Sequence, residues 1–205
     1  MIDLYYAPTG NGLRAAVALE ECGLAYNRHK VDLMKGDQKK PEFLAMNPAG
    51  AIPVMIESDG PGGKPLTLSQ SGAILMYAAE KSGKFIPTDP ARRAATYQWL
   101  MHAMSDAACA SGVIFQMTVV YPEKTPALQE FVEKRFAGMM RICNSRLASN
   151  EYLAGELSVA DLALYPVVAG RRAIVEKAGD MKALLAWADR MAARPGVARG
   201  MQPPQ

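Results

Sequence analysis

The pattern of the sequence changes near residue 90, and this change restricts the possible folds more than any other feature. Before it, short apolar runs alternate with amphipathic stretches and glycine-containing turns, whereas long helical patterns dominate after it. Pro87 and Pro90 mark the junction, as is typical of a linker. The sequence therefore predicts two domains, an α/β domain over residues 1–84 and an all-helical domain over residues 90–205.

The first part of the chain is predicted to contain two groups of strands and helices. Apolar alternation and turn residues indicate a βαβ segment followed by a ββα segment, whose hairpin surrounds the turn-rich SDGPGGK. Gly23 stands where the first helix should end. The predicted strands are Ile2–Tyr6, Asn27–Leu33, Val54–Glu57 and Leu66–Leu68, and the predicted helices are Arg14–Glu21 and Ser71–Lys81.

The second part is predicted to form four long helices, Ala91–Met117, Pro126–Leu147, Val159–Val175 and Met181–Ala193. Ser158 and Asp161 have the spacing of a capping box, in which two side chains satisfy backbone N–H groups at a helix start. We therefore expect Asp161 to serve folding rather than catalysis. The last residues, RGMQPPQ, are expected to be loose.

Composition argues against two classes of partner. A formal charge of +3 without a dense block of lysine and arginine argues against nucleic-acid binding. The N-terminus lacks the apolar stretch of a secretory signal, and no segment reaches the ~20 consecutive apolar residues that cross a bilayer. We therefore expect a soluble, cytoplasmic protein that does not bind a membrane.

The cysteines and histidines argue against a metal site. Cys22, Cys109 and Cys143 are far apart and show no CxxC spacing, and His29 and His102 are the only histidines. A zinc site or a Cys-His catalytic pair would have few residues to draw on. The simplest interpretation is that the three cysteines are small structural residues.

Pro53 marks the first candidate site, since it follows the loop NPAG and opens a predicted strand. Proline cannot donate a backbone hydrogen bond, which limits how that strand can pair. If the bond between Ile52 and Pro53 is cis, the backbone N–H and C=O of Ile52 turn outward, ready to pair with an extended peptide. The segment alone is weak evidence, because only about 5% of X-Pro bonds are cis.

Gln70 and Ser71 form the second candidate site, between a predicted strand and an apolar helix. The Ser71 hydroxyl and the first N–H groups of a helix favour a carboxylate, and the Gln70 amide oxygen can accept a hydrogen bond from an ammonium. An amino-acid head group fits this pair. The alternative is plain helix capping by Ser69 or Ser71.

The loop between the first strand and the first helix, APTGNG, is the third candidate site. The Thr9 hydroxyl, the Asn11 amide and free backbone N–H groups would stabilise a bound thiolate there, and so lower a thiol pKa that begins near about 8.5. The reactive sulfur would then belong to the ligand. The alternative is that Thr9 or Asn11 merely caps the helix.

Taken in order along the chain, these motifs resemble those of the cytosolic glutathione transferases. PEFLAMNPAGAIPV looks like their loop and cis-proline strand, SQSGAILMYAAEKSG like their γ-glutamyl-binding turn and helix, and SVADLALYP like the capping motif of their helical domain. The resemblance covers nearly the whole chain. It implies a thioredoxin-like domain followed by a helical bundle, a homodimer, and glutathione as co-substrate with no tightly bound cofactor.

The segments IDLYYAPTGNG and KVDLMKGDQKKPEF are most similar to the bacterial Nu class, whose members tend to reduce glutathione disulfides. By this resemblance, Thr9 and Asn11 are the catalytic residues that hold the reactive sulfur. The glutathione contacts that it implies are Gln38, the Ile52 backbone beside Pro53, Gln70, Ser71 and, for a carboxylate of a second glutathione, Arg135. The alternative for Arg135 is a solvated helix charge.

The chain departs from other classes of that family in its loop and its turn. Tyr5 and Tyr6 stand near where some classes place a catalytic tyrosine, but both lie in a predicted strand, so we rank them below Thr9. No cysteine occupies the loop, which argues against a mixed disulfide with an enzyme sulfur. Gln70 replaces an acidic residue of many relatives, which weakens an ammonium contact but keeps an acceptor.

Three functions follow from these observations. The first is a glutathione-dependent disulfide-bond reductase acting on a small disulfide, and the second is a transferase that conjugates glutathione to small electrophiles, a detoxification reaction. Side chains that could line an electrophile pocket are Met101, Met104, Phe115, Met117 and Tyr121, although such a helix face is more often core. The third is a non-catalytic binding protein on the same fold.

Overall fold

The computed structural model of the chain describes residues 1–123 and 125–204. Contacts between residues divide the chain into two compact units. The first comprises Met1–Lys84 together with the chain from Ala193 onward, and the second comprises Phe85–Ala192. The sequence pattern assigned the residues after 192 to the helical domain, whereas they pack with the first unit.

The first unit is built on a four-stranded sheet in the order β2-β1-β3-β4. Its strands are β1 Ile2–Tyr6, β2 Tyr26–Lys30, β3 Val54–Glu57 and β4 Leu66–Ser69, and its helices before residue 85 are α1 Gly10–Cys22, α2 Pro41–Met46 and α3 Ser71–Ser82. Strand β1 runs parallel to β2 and antiparallel to β3, which is antiparallel to β4. This is the expected thioredoxin-like βαβ-ββα arrangement.

Three elements of the first unit differ from the prediction. Helix α1 begins at Gly10, four residues before the predicted start, because Thr9 caps it. Strand β2 ends three residues early because Asp32 starts a turn, in which its carboxylate accepts hydrogen bonds from the next backbone N–H groups. Helix α2 has no detectable periodicity, since Phe43 is its only buried residue.

The second unit consists of helices. They are α4 Pro90–Met101, α5 Ala108–Phe115, α6 Pro126–Leu147, α7 Val159–Gly170, α8 Arg172–Ala178 and α9 Lys182–Ala192. π-helical segments join α4 to α5 and extend α5, which makes Pro90–Val120 one continuous helical run. The helix predicted over 159–175 is interrupted at Arg171, whose φ of −124° and ψ of 19° are not helical.

The run Pro90–Val120 corrects one expectation from the sequence. By length and composition alone it could cross a membrane, because its most apolar stretch of 18 residues has a mean hydropathy of 1.3. Counting consecutive apolar residues misses this, because polar residues such as Ser105 and Gln116 interrupt the run. One such helix is weak evidence for membrane insertion, since helices of many non-membrane proteins meet the same criterion. Only 22% of that 18-residue stretch is buried inside the protein.

A buried carboxylate holds the start of α7, as the capping-box spacing predicts. Asp161 is fully buried, and its two oxygens accept hydrogen bonds from the backbone N–H of Leu153, the indole N–H of Trp187, and both the N–H and the hydroxyl of Ser158, all at 3.0–3.1 Å. Burial raises the pKa of Asp161, and these donors oppose that shift. The carboxylate therefore connects α7, α9 and the loop before α7.

We expect Asp161→Ala to lower the free energy of unfolding by about 3 kcal/mol, because several buried donors lose their acceptor. Chemical denaturation of the purified protein measures this. Asp89→Ala is the matched control, since Asp89 caps α4 at an exposed position through the Arg92 N–H. Its loss should cost only about 1 kcal/mol. Equal losses in the two variants would contradict the role given to the buried network.

The expectation of a loose C-terminal tail is wrong for its first two residues, Arg199 and Gly200, because they end helix α10 Pro195–Gly200, which packs against α1. Gln205 lies outside the described residues. The carboxylate of Glu21 accepts hydrogen bonds from the Arg194 guanidinium at 2.6 Å and from the Val197 backbone N–H at 3.0 Å. Arg199 donates to Glu20 at 2.7 Å. These partners are more than 170 residues apart in sequence, so no local pattern could reveal them.

Gly200 faces α1 so closely that a Cβ atom there would lie 2.5 Å from the Val17 Cα. We expect Gly200→Ala to destabilise the protein by about 2 kcal/mol, because the added methyl group would force the backbone of α1 and α10 apart. Gly138→Ala on α6 is the control, since nothing lies within 4 Å of the added carbon. It should be neutral or stabilise by about 0.5–1 kcal/mol. Thermal unfolding compares them, and equal melting temperatures would refute this packing argument.

Candidate functional site

The start of helix α1 collects hydrogen-bond donors. Thr9 is the N-cap, and its hydroxyl oxygen accepts a hydrogen bond from the Gly12 N–H at 3.3 Å. The Thr9 hydroxyl proton is still able to donate, and Asn11 in the first turn is exposed. The helix dipole adds positive potential at this end. Helix capping and the binding of an anion are therefore compatible at Thr9.

Arg14 lies beneath this loop and was missed by the sequence analysis. It is fully buried, and its Nη1 donates to the Asn11 side-chain oxygen at 2.7 Å and to the Ser71 hydroxyl at 2.8 Å. Burial lowers the pKa of Arg14 to about 10, so the side chain stays protonated at neutral pH. The one available signal was a charged residue inside an otherwise apolar helix face. One guanidinium thus connects two of the predicted site residues.

The turn before α3 presents Gln70 outward and Ser71 inward. Gln70 occupies the N-cap position with φ 73° and ψ 114°, an uncommon backbone for a residue other than glycine, and makes no side-chain capping bond. Such backbone conformations cluster at binding sites. Ser71 is buried, and its hydroxyl accepts from Arg14. Gln70, rather than Ser69 or Ser71, stands at the N-cap of α3.

The segment before β3 exposes unpaired peptide groups. The bond between Ile52 and Pro53 is cis. Among the described residues, neither the N–H nor the C=O of Ile52 makes a hydrogen bond, while the Asn47 side chain holds the preceding loop by donating to the Ala51 carbonyl at 2.7 Å. Gln38 has a buried side-chain oxygen without a hydrogen-bond partner in the described part of the chain. An incoming peptide could satisfy these groups.

The sheet register brings three of these segments to one end of the sheet. Val54 lies opposite Tyr5 on one side and opposite Ser69 on the other. The residues that follow β1, precede β3 and follow β4 therefore lie at the same end of the sheet. This places the Thr9 loop, Pro53 and Gln70 near one another. The predicted residues of the first unit thus form a single candidate site.

Arg135 belongs to the second unit. It is exposed on α6 and lines a cavity of about 270 Å³ together with Ser105, Asp106, Cys109, Phe131 and Met139.

The five side chains predicted for an electrophile pocket all lie on or just after the run Pro90–Val120, and none of them is fully buried or lines this cavity. The interpretation of those side chains as core is therefore wrong.

The tyrosines of β1 and the two buried cysteines are unsuited to attack a substrate at this site. Tyr6 is fully buried and burial raises its pKa, while the Tyr5 ring stacks on His29. Burial also raises the pKa of Cys22 and raises that of Cys143 to about 12. Over residues 1–123 and 125–204, no cluster of three or more histidine, cysteine or acidic side chains could hold a metal ion.

The geometry of the first unit suits one kind of ligand. Donors at the start of α1 favour an anionic sulfur, unpaired groups at Ile52 favour an extended peptide, and Gln70 with Ser71 favours an amino-acid head group. No covalent chemistry is required of the protein itself.

Profiles of the glutathione S-transferase family match both parts of the chain. The N-terminal-domain profile matches residues 11–81, and the C-terminal-domain profile matches residues 114–201. The disulfide-bond oxidoreductase YfcG of Escherichia coli is 38% identical over 204 residues, which cover 98% of this chain and 94% of that protein.

Solved structures of similar proteins agree with the profiles. A glutathione transferase from Pseudomonas putida, crystallised with one glutathione disulfide per subunit, has a TM-score of 0.88 and 34% identity, and the match covers 98% of this chain and 90% of that chain. A family member from Pseudomonas fluorescens, with two glutathione bound, has a TM-score of 0.90 and 31% identity over 99% and 93% of the two chains.

Proposed function

This chain is an enzyme of the glutathione S-transferase family, of the bacterial Nu type, and from that premise we propose that it is a glutathione-dependent disulfide-bond reductase. The single observation that carries the proposal is the start of α1, where Thr9 and Asn11 offer donors while the loop contains no cysteine. The enzyme would stabilise a sulfur that the ligand brings.

The proposed reaction consists of two thiol-disulfide exchanges. A glutathione thiolate attacks one sulfur of a small disulfide, a new S–S bond forms, and the other sulfur leaves as a thiolate that takes up a proton. A second glutathione thiolate then attacks the mixed disulfide and releases the second thiol. Two glutathione molecules are oxidised to one glutathione disulfide, and the substrate is reduced to two thiols.

The residues at this end of the sheet would each bind a different part of the first glutathione. Ser71 and the N–H groups of α3 would bind the γ-glutamyl carboxylate, and Gln70 would accept from the ammonium. The Ile52 backbone would pair with the peptide, and the buried oxygen of Gln38 would accept one of its N–H groups.

Arg135 is proposed to bind a carboxylate of a second glutathione. An exposed guanidinium lining a cavity is suited to that charge. The Pseudomonas relatives, crystallised with two glutathione or with glutathione disulfide, support this proposal, as does the disulfide-bond oxidoreductase named among the relatives.

Conjugation of glutathione to an electrophile is the alternative activity, because it needs the same thiolate. The observation that favours it is the incomplete burial of Met101, Met104 and Phe115 on the run Pro90–Val120, with Met117 and Tyr121 close by in sequence. Side chains of this kind can contact a small apolar substrate.

Parallel assays of the purified enzyme test the proposal. With glutathione present, a small dialkyl disulfide should turn over faster than an aromatic chloride. Thr9→Ala and Asn11→Ala should each lower kcat/KM for the disulfide by about 10-fold to 100-fold, because each removes a donor to the thiolate. Cys22→Ala is the control and should keep the activity. The mechanism would be rejected if Cys22→Ala lost its turnover, or if the wild-type enzyme did not turn over the disulfide.

We further propose that the protein is a cytoplasmic homodimer. The helices of the second unit expose several large apolar side chains: Met101, Val113, Val119, Val120, Leu128, Phe131 and Ile142. An interface between subunits would bury exposed apolar surface of this kind. Light scattering should give twice the 22.1 kDa mass of one chain, and the mass of a single chain at working concentration would contradict the proposal.

A further inference from the structure

Arg14 makes contact with two side chains that the proposed function assigns to different parts of glutathione, the cysteine sulfur and the γ-glutamyl carboxylate. The same nitrogen, Nη1, lies 2.7 Å from the Asn11 side-chain oxygen and 2.8 Å from the Ser71 oxygen. Asn11 stands at the sulfur position and Ser71 at the γ-glutamyl carboxylate. A guanidinium nitrogen carries two N–H groups in a fixed plane, so it can serve both acceptors at once.

The contact determines which atom Asn11 can offer to a ligand. Arginine has only donors, so the amide atom that faces Arg14 must be the oxygen. The NH₂ group of Asn11 then points away from Arg14, on a side chain that is exposed to solvent. An amide held this way is a donor toward a thiolate, whereas a freely rotating amide would present its oxygen part of the time.

Ser71 is constrained in the same manner. Its hydroxyl oxygen accepts from Arg14, and the hydroxyl proton must therefore be directed at another acceptor. Since Ser71 is the first residue of α3, a carboxylate bound at that helix start would be such an acceptor.

We propose that Arg14 is a positioning residue that orients Asn11 and Ser71 as donors and so supports both the stabilisation of the glutathione sulfur and the binding of the γ-glutamyl carboxylate. This inference rests on the proposed function. The guanidinium is fully buried where α1 packs against α3, and both contacts form there.

The test measures the thiol site and the γ-glutamyl site separately. Titration of the thiolate absorbance of bound glutathione reports the thiol pKa, and the Kd of S-methylglutathione, which has no ionisable thiol, reports the head-group site. Asn11→Ala should affect only the first measurement and Ser71→Ala only the second. Arg14→Met should affect both, with about tenfold less thiolate at a given pH and about tenfold weaker binding of S-methylglutathione.

A second variant leaves the buried arginine in place. Asn11→Asp keeps an acceptor for Arg14 but has no NH₂ group, so it should reduce the thiolate fraction at least as much as Asn11→Ala does. This result does not depend on whether Arg14→Met folds. An unchanged thiolate fraction in Asn11→Asp would overturn the inference.

Arg194→Met controls for general loosening of α1, because it removes the ion pair with Glu21 at the opposite end of that helix. It should lower thermal stability and leave both ligand measurements unchanged. If folded Arg14→Met behaves like Arg194→Met, the inference fails while the proposed function stands. If the wild-type enzyme binds neither glutathione nor S-methylglutathione, the proposed function fails and the inference fails with it.

Discussion

Helix α1 is fixed at both ends, and the candidate site depends on where it lies. At its start, Gly12 sits so close to the Ala7 carbonyl oxygen that any larger side chain would collide with it. At its end, Gly23 adopts φ 74° and closes the helix with backbone hydrogen bonds. Helix α10 holds the same end through Glu21. A helix fixed in this way presents its first N–H groups without reorganisation, which is the condition under which donors stabilise an anion well.

Burial determines which sulfur can react. The hydroxyl of Tyr6 and the thiols of Cys22 and Cys143 all have raised pKa values because burial disfavours their charged forms. The loop at the start of α1 offers polar groups and no thiol. Burial thus keeps these three groups neutral, and the donors at the start of α1 are proposed to act on a thiolate that the ligand brings. This separation suits the proposed reaction, which consumes the thiol that the enzyme binds.

The helices of the second unit combine a buried polar network with an exposed apolar surface. Its interior contains Asp161, a buried carboxyl group whose oxygens are surrounded by several donors. Its surface carries the opposite feature, a long helical run that is apolar and little buried. A stable interior with an exposed apolar face is expected where another molecule completes the surface, and Arg135 adds a cation at a cavity on this unit.

Local patterns in the sequence determined the strands, the longer helices, the capping box at Asp161 and the loops that carry Thr9, Pro53 and Gln70. Each depends on residues a few positions apart, where periodicity and turn chemistry act directly. Short helix α2, with one buried residue, left no such pattern. The residues of those loops indicated the chemical groups that they could bind, and only the resemblance of their motifs to a family indicated glutathione.

Tertiary structure decided what lies behind those loops. Arg14 meets Ser71 across 57 residues, and Glu21 meets Val197 across 176, so neither pairing leaves a trace in the local pattern of either segment. The same holds for the C-terminal residues, whose polar, proline-rich composition predicts a loose tail although Gly200 packs on Val17. Sequence periodicity records which side of an element is buried, but the partner that buries it is chosen by packing of the whole chain.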